Sequence, residues 1–453
     1  MKKLFFIFLS LFSFSISAQD HFAGISTSTR VGILNVANNP AELMNLKNKF
    51  EINGFGISAN VSNSKIGFKD IINDKDLYKA IFTGNEPVSF KLDTEIYGPS
   101  YAVKLSKFGF AIGTKLNGKF DIIDVDVNLG NAIANNDLGA LASTVINNTQ
   151  NQRIVGTTWG EVDLSVAVNL LNSESNKFNV GITGKLLFPG SFANVGASNY
   201  FGTISEIGVG TSATTQLTNT LASLNFSYSG GLANSFTNFS DYQKSLFGKL
   251  NGFAVDLGVN YQFKDESDSD KKKYKLNVGL SLKNLGSMTF ADDNNASTDY
   301  KLQIGNIPLK LDVFNDINSV DQIEAKLIAS GFLNKTVKNS NDFVVKLPAT
   351  FNAYADVKIV SKFFITGYIQ KRIKENSEND QVTTQNLTSI TPRFSTDYFE
   401  VFVPYTITEF AGNNIGLGFR IGGFYLSSTS AISALNINSK QIDFNLGFRY
   451  GFL

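Results

Sequence analysis

The sequence predicts an all-β chain: a transmembrane antiparallel β-barrel of about 14 strands, with an N-terminal hatch and long external loops that contain short helices. Three observations predict it. Segments of strictly alternating apolar and polar residues recur along the chain, the connections between them alternate long and short, and an export leader precedes them all.

The leader comes first. Lys2 and Lys3 form a basic start, Leu4 to Leu11 are almost wholly apolar, and Ala18 supplies a small residue for cleavage. Residues 1–18 therefore read as a secretory signal peptide, too short and too polar at its end for a membrane anchor. Residues 19–49 form a polar tail that holds Ser26 to Arg30 and then Asn38-Asn39-Pro40-Ala41-Glu42-Leu43. A tail of that length could cross a barrel lumen, and its polar and small residues suit a plug; a free periplasmic extension is the alternative.

The barrel follows over 50–453. Its clearest period is the last one, where Ile442, Phe444, Leu446, Phe448, Tyr450 and Phe452 alternate with Asp443, Asn445, Gly447, Arg449 and Gly451. Successive side chains of a strand point to opposite faces, so one face here is hydrocarbon and the other polar or tiny. The same alternation covers 161–170, 178–188, 253–263, 276–282, 351–359 and 415–421. Weaker matches lie at 50–60, 97–105, 108–118, 363–371, 389–395, 399–406 and 424–428. From 50 to 362 the connections run long, short, long, short without a miss, as expected of a barrel with short periplasmic turns and longer external loops.

Short helices are expected in those loops. Ser319 and Gln322 match a capping box before Val320, Ile323, Leu327 and Ile328, and Gly331 can end that helix. Residues 76–82 and 137–146 also read as helical. Such helices are expected to cover the barrel mouth.

Composition excludes several activities. The 40 basic and 39 acidic residues leave a net charge of +1, without the basic excess of a nucleic-acid binder. Without Cys there is no disulfide, thiolate metal site or Cys nucleophile. His21 is the sole histidine and lies on the tail, a poor place for a catalytic triad, and one His cannot make a zinc site. Gly184-Lys185 is followed by Leu186 and fails the phosphate-loop pattern, and Gly208 and Gly210 make only a lone G-x-G. Asp265, Glu266, Asp268 and Asp270 lead straight into Lys271 to Lys273, which suits a solvated turn better than a calcium loop. No cofactor, metal or catalysis is expected.

On the strand pattern Glu161, Asp163, Asp256, Asn260, Gln262, Asp356, Lys358, Arg420, Asp443 and Arg449 should face the lumen, because an unpaired charge in hydrocarbon is costly. They would form either a packed, salt-bridged interior or a polar pathway.

The signal peptide, the Asn-Pro-Ala-x-Leu tail and the aromatic-rich barrel together resemble the FadL-type family of hydrophobic-compound transporters. Asn39, Pro40, Ala41 and Leu43 carry the likeness, with Glu42 where members often have Gly. Trp159-Gly160-Glu161, Lys346-Leu347-Pro348-Ala349 and Gly422-Gly423-Phe424-Tyr425 look like an uncharacterised family of outer-membrane barrels from Bacteroidetes. The resemblance implies an outer-membrane barrel of fourteen strands in a Gram-negative cell. It places Asn39, Pro40, Ala41, Glu42 and Leu43 in a hatch, and implies passive uptake of lipophilic molecules with lateral or luminal passage. Expected partners are outer-membrane lipid and a lipophilic small molecule. One branch of the same barrels serves type IX secretion, so a barrel that binds a secretion or surface protein is the alternative.

Overall fold

The structure, a computed structural model, describes residues 21–22, 24–28, 30–73, 80–135, 143–208, 214–234, 246–264, 274–291, 295–315, 317–338, 342–436 and 438–452. The leader over 1–18 and the charged turn at 265–273 lie outside the described residues, as does most of the helix expected at 76–82.

Fourteen strand positions close into a ring. They are β1 (Phe50–Asn63), β2 (Val88–Tyr97 and Ser100–Leu105), β3 (Phe108–Val125), β4 (Gln152–Asn172) and β5 (Asn176–Ile207). Then come β6 (Gly252–Lys264), β7 (Tyr274–Phe290), β8 (Phe343–Lys346 and Thr350–Val360), β9 (Phe363–Arg372) and β10 (Leu387–Ser395). The last are β11 (Phe399–Phe402 and Tyr405–Thr408), β12 (Gly412–Ile415 and Leu417–Ile421), β13 (Phe424–Ser428) and β14 (Gln441–Phe452). Each pairs antiparallel with the next in sequence. The last returns to the first, with Phe50 opposite Phe452 and Ser62 opposite Gln441. A closed sheet leaves no edge and satisfies every ladder bond internally, the condition for a sheet to span lipid. All fourteen segments read from the alternation are strands of this ring.

The alternation sets the two faces. Phe110, Leu164, Ile182, Phe253, Leu280, Ile365 and Phe448 are exposed on the outer face, a belt suited to hydrocarbon. Ser165, Lys185, Asn277, Asn352 and Thr391 lie between such residues, on the inner face, and are buried. No described helix is long and apolar enough to cross a membrane. Short turns gather at one end of the ring, called lower here, and the long connections at the upper end; 409–411 is a short upper exception.

Above the belt, β4 and β5 run on into a second sheet. Ser143–Asn148 and Thr214–Ser229 flank the upper part of β5, and Ala296–Ile304 and Leu333–Lys338 extend it. Where lipid would cover the outer face below, helices Val127–Asn135, Gly231–Asn234 and Val320–Ala329 cover it here, over a core that includes Leu217, Leu224, Phe226, Leu232, Tyr300, Val320 and Leu327. Glu324 pins the third helix, accepting from Tyr300 Oη at 2.6 Å and Tyr228 Oη at 3.0 Å.

Two local expectations need correction. Of the helix expected at 137–146, residues 137–142 lie outside the described residues and 143–146 are strand, while a helix lies earlier, at Val127–Asn135; the run Val145-Ile146 answers to the sheet beside it. The helix after Ser319 forms and ends at Gly331, whose φ is 77°, but the capping box does not close. Gln322 Oε1 accepts from Asn318 N at 2.9 Å, and the Ser319 hydroxyl donates to Asp321.

Candidate functional site

The described chain before β1, from His21 on, lies inside the ring and is mostly buried. His21, Phe22 and Ile25 start it at mid-height, Ser28 and Arg30 reach the lower rim, and Ile33–Asn38 crosses back as a short helix. Asn39-Pro40-Ala41-Glu42-Leu43 then forms a tight helical turn, Pro40–Asn45. The sequence dictates that turn. Asn39 is its N-cap, its Oδ1 accepting from Ala41 N at 3.0 Å, and Pro40 occupies the first position, where no N–H is needed.

Glycines in the wall seat this turn. A Cβ at Gly181 of β5 would stand 2.5 Å from Ala41 N, and one at Gly258 of β6 would stand 2.0 Å from Asn39 Oδ1. Gly109 of β3 would meet Leu43 Cγ at 2.7 Å. Backbone and Leu43 thus pack directly on the strands, and polar bonds fix the contact. Glu42 Oε1 accepts from Asn260 at 2.9 Å, from Asn277 at 3.0 Å and from the Tyr354 hydroxyl, while Oε2 accepts from Asn45 at 2.7 Å. Asn39 Nδ2 donates to Val259 O at 2.9 Å, and Lys177 Nζ donates to Met44 O at 2.7 Å. Glu42 therefore anchors the turn to three side chains of the wall, and Asn45 of the turn itself is its fourth partner.

The inward charges fall into two belts. The lower belt runs Asp356–Arg393–Glu400–Arg420, with Arg393 to Asp356 at 2.6 Å, Arg393 to Glu400 at 3.6 Å and Arg420 to Glu400 at 2.7 Å. Arg449 and Glu51 continue it across the seam at 3.3 Å, and Ser28 donates to Glu400 at 2.8 Å. The middle belt lies on β2 to β6. Glu161 receives Lys115 at 3.4 Å and Trp159 Nε1 at 2.7 Å, and Asp256 receives Lys185 at 2.9 Å. Asn260 belongs to the Glu42 cluster, Gln262 is buried below it on β6, and Asp443 accepts from Thr429 N at 2.8 Å near the upper end. Lys358 lies at the lower end of β8, opposite Phe364. Asp163 faces a cavity, with its Oδ1 buried and without a hydrogen-bond partner.

His21 is not on a loose tail, as its place in the sequence suggested. Its Nδ1 lies 2.6 Å from Ser58 Oγ and its Nε2 lies 3.0 Å from Asp93. These are the residue types of a charge relay, but Ser58 is buried, lines neither cavity described below, and donates its proton to Asn445 Oδ1 at 2.6 Å. The cluster clamps the chain rather than activating a nucleophile. Burial opposes charge on the ring; Glu95 and Asp93 outweigh it and raise the imidazole above its ordinary value.

The wall's ladder is interrupted where β2, β8 and β11 each break at a proline, and the break in β2 lies against a cavity. β2 breaks at Gly98-Pro99, where Pro99 has no N–H to give. Pairing with β1 stops at Tyr97 and resumes at Ser100, and pairing with β3 lapses between Tyr97–Lys115 and Tyr101–Ile112. Only Gly98 N to Thr114 O, at 2.9 Å, bridges that lapse between backbones. Inside the break lies a cavity of about 40 Å³, bounded by Ile33, Leu34 and Val36 of the helix and by Tyr97, Lys115 and Asp163 of the wall. Outside lies an apolar groove of about 340 Å³, lined by Ile96, Leu116, Val162, Phe188 and Phe247. The two meet at Thr114 and Lys115.

Sequence reasoning missed Arg393, Glu400, Lys115, Lys185, Asn277 and Tyr354. The signal was present for Lys185, Asn277 and Tyr354, which occupy inward positions of strands read correctly. No signal marks which wall glycines seat the turn.

Three solved structures are similar in fold. They are the Ralstonia pickettii toluene transporter TbuX (12% identity, TM-score 0.38, covering 94% of this chain and 95% of that one) and the P. putida toluene transporter TodX (8%, 0.41, 93% and 94%). The third is the TodX deltaS2S3 mutant monoaromatic hydrocarbon channel (9%, 0.46, 93% and 95%). No curated protein matches the sequence. A family model described as a family of unknown function, DUF5723, matches residues 40–428, and the chain belongs to that family.

Proposed function

We propose that this barrel lies in an outer membrane and passes hydrophobic small molecules inward without chemical change, its N-terminal segment acting as the hatch and the Gly98-Pro99 break as a side exit. A single-chain closed barrel with an apolar outer belt suits that membrane, with the long connections outside and the short turns in the periplasm. One observation carries the reading: a cavity and an apolar groove lie back to back across the break in β2, where the wall's hydrogen bonds lapse.

Volumes define the resting state. An apolar cavity of about 150 Å³ holds a benzene ring, and a water molecule takes about 30 Å³. The groove of about 340 Å³ accepts such a ring; the inner cavity of about 40 Å³ holds little more than water. Cargo therefore passes only when the Ile33–Asn38 helix withdraws. Because Glu42 holds the turn beyond that helix, the helix is the part that moves and the turn is the pivot. The inward charges are paired in belts and read as a packed interior, except Asp163, which faces the passage.

The long external chain that suggested a protein-binding barrel is accounted for by the upper sheet packing on its own helices.

The test is native mass spectrometry of mature barrel purified from its own membrane in mild detergent. A reproducible small adduct that extracts as a lipophilic compound is expected. An adduct-free barrel that also ignores added toluene would overturn the reading.

A further inference from the structure

The connection between β9 and β10, residues 373–386, does not lie over the surface like an ordinary loop. It forms neither helix nor strand, yet Gln381, Val382, Thr383, Thr384 and Gln385 are buried. It crosses the upper lumen from its root at β9 and β10 to the opposite wall. Lys91 of β2 donates to Thr383 Oγ1 at 3.2 Å, and the Thr383 hydroxyl donates to Asp121 of β3. Gln385 donates to Ser62 of β1 at 3.2 Å, and Asn151 donates to Asn379 Oδ1 at 2.8 Å. On the near side Lys346 N bonds Asp380 O, and Val382 N bonds Lys346 O, each at 2.9 Å.

The underside of this crossing is apolar. Val382 sits in a cluster with Trp159, Phe192, Phe290, Phe343 and Leu347. Phe192 and Phe290 lie 5.5 Å apart between ring centroids, and Phe192 and Phe343 lie 5.6 Å apart. The seat is also incompletely satisfied. Arg153 is 1% exposed, and its Nε and Nη1 have no partner; its Nη2 reaches Gln381 O only at 3.5 Å. Thr157 Oγ1 is likewise buried without a hydrogen-bond partner. Buried polar groups normally find partners, so a guanidinium left in this state favours any arrangement that lets water reach it. The polar ties hold the strap down and the desolvated groups push it up, the balance expected of an element with two positions.

We propose that residues 373–386 are an upper gate in series with the N-terminal segment: a strap whose Val382 occupies the entry slot that apolar cargo takes when the strap lifts. This rests on the transport reading. It adds a self-inhibitory contact at the outer mouth, where a side chain of the protein stands in for cargo.

The chain has no Cys, so engineered thiols report cleanly. Thr157→Cys places a thiol on the inner face of β4, and its labelling by a small membrane-impermeant maleimide added outside reads strap position without cargo. Replacing residues 377–384 by a short glycine linker should speed that labelling at least tenfold, with heat-modifiable gel migration showing the barrel folded. Separately, Asn151→Cys with Asn379→Cys ties the strap down on oxidation. Entry of N-phenyl-1-naphthylamine should then fall at least fivefold and return on reduction. Equal labelling with and without the strap, or measurable entry that is equal when oxidised and reduced, overturns the gate. If no form, wild type included, admits the probe while labelling still follows the strap, the transport reading falls and the gate stands.

Discussion

The two ends of the lumen are closed by opposite chemistry. The lower seal is a separate segment of chain, pressed on bare glycines and held by amides, hydroxyls and one carboxylate. The upper seal is a layer of aromatic and aliphatic side chains from the wall, with the strap laid across it. Hydrogen bonds are directional and are lost together when their acceptor goes; an apolar layer loosens in proportion to what is removed. The lower seal should therefore let go as a unit, and the upper one should weaken gradually.

The sharpest test of that contrast is Glu42→Ala. It removes the shared acceptor of Asn260, Asn277, Asn45 and the Tyr354 hydroxyl, at a cost of about 1–3 kcal/mol for each buried donor left unsatisfied. The N-terminal segment should undock, seen as protease cleavage near Arg30 and raised ion leak, with the barrel still folded. Glu42→Gln keeps an acceptor and should lose much less. Phe343→Ala attacks the upper layer, where deletion of a buried ring costs about 3 kcal/mol. Its signature should differ: lower thermal stability of the whole barrel, with little added leak while the lower seal holds. Combined with Glu42→Ala, the two losses should add in free energy, since they share no partner. A large coupling would show that the seals are one device. Gly258→Val pushes a side chain into Asn39 and should loosen the turn by about 1–3 kcal/mol, read as faster exchange of its amides.

The smallest effect concerns pH. His21 has a raised pKa when docked, so its contribution is complete below about 6.5 and is lost as pH rises through the raised value. Protection factors of amides near residues 22–28, which correct for the intrinsic base-catalysed exchange rate, should be lower at pH 9 than at pH 6. His21→Ala should abolish that difference at a cost of about 1 kcal/mol.

The wall and the upper sheet also differ in how well the sequence announces them. In the wall, lipid takes one face and a polar lumen the other, so the pattern is strict and all fourteen strands were legible. In the upper sheet both faces are partly covered. Phe226 and Leu224 lie under helices while Asn225 and Ser227 bond across the inner face, and only fragments of alternation remain. That is why 143–146 fell within a helix expectation and 214–229 did not read as strand. For the site, Asn39, Pro40, Ala41 and Leu43 carried the family likeness without announcing a turn, and strand parity pointed Glu161, Asp256, Asn260 and Arg420 inward. The meeting of Glu42 with Asn260, Asn277 and Tyr354 depends on residues up to 312 positions apart, and no local pattern encodes it.

The most direct measurement is entry of N-phenyl-1-naphthylamine into cells carrying Gly98→Leu. A side chain there begins 2.4 Å from the Thr114 hydroxyl and fills the break in β2. A side exit predicts entry several-fold below wild type, with folding and ion leak unchanged. Wild-type entry through the filled wall would contradict it.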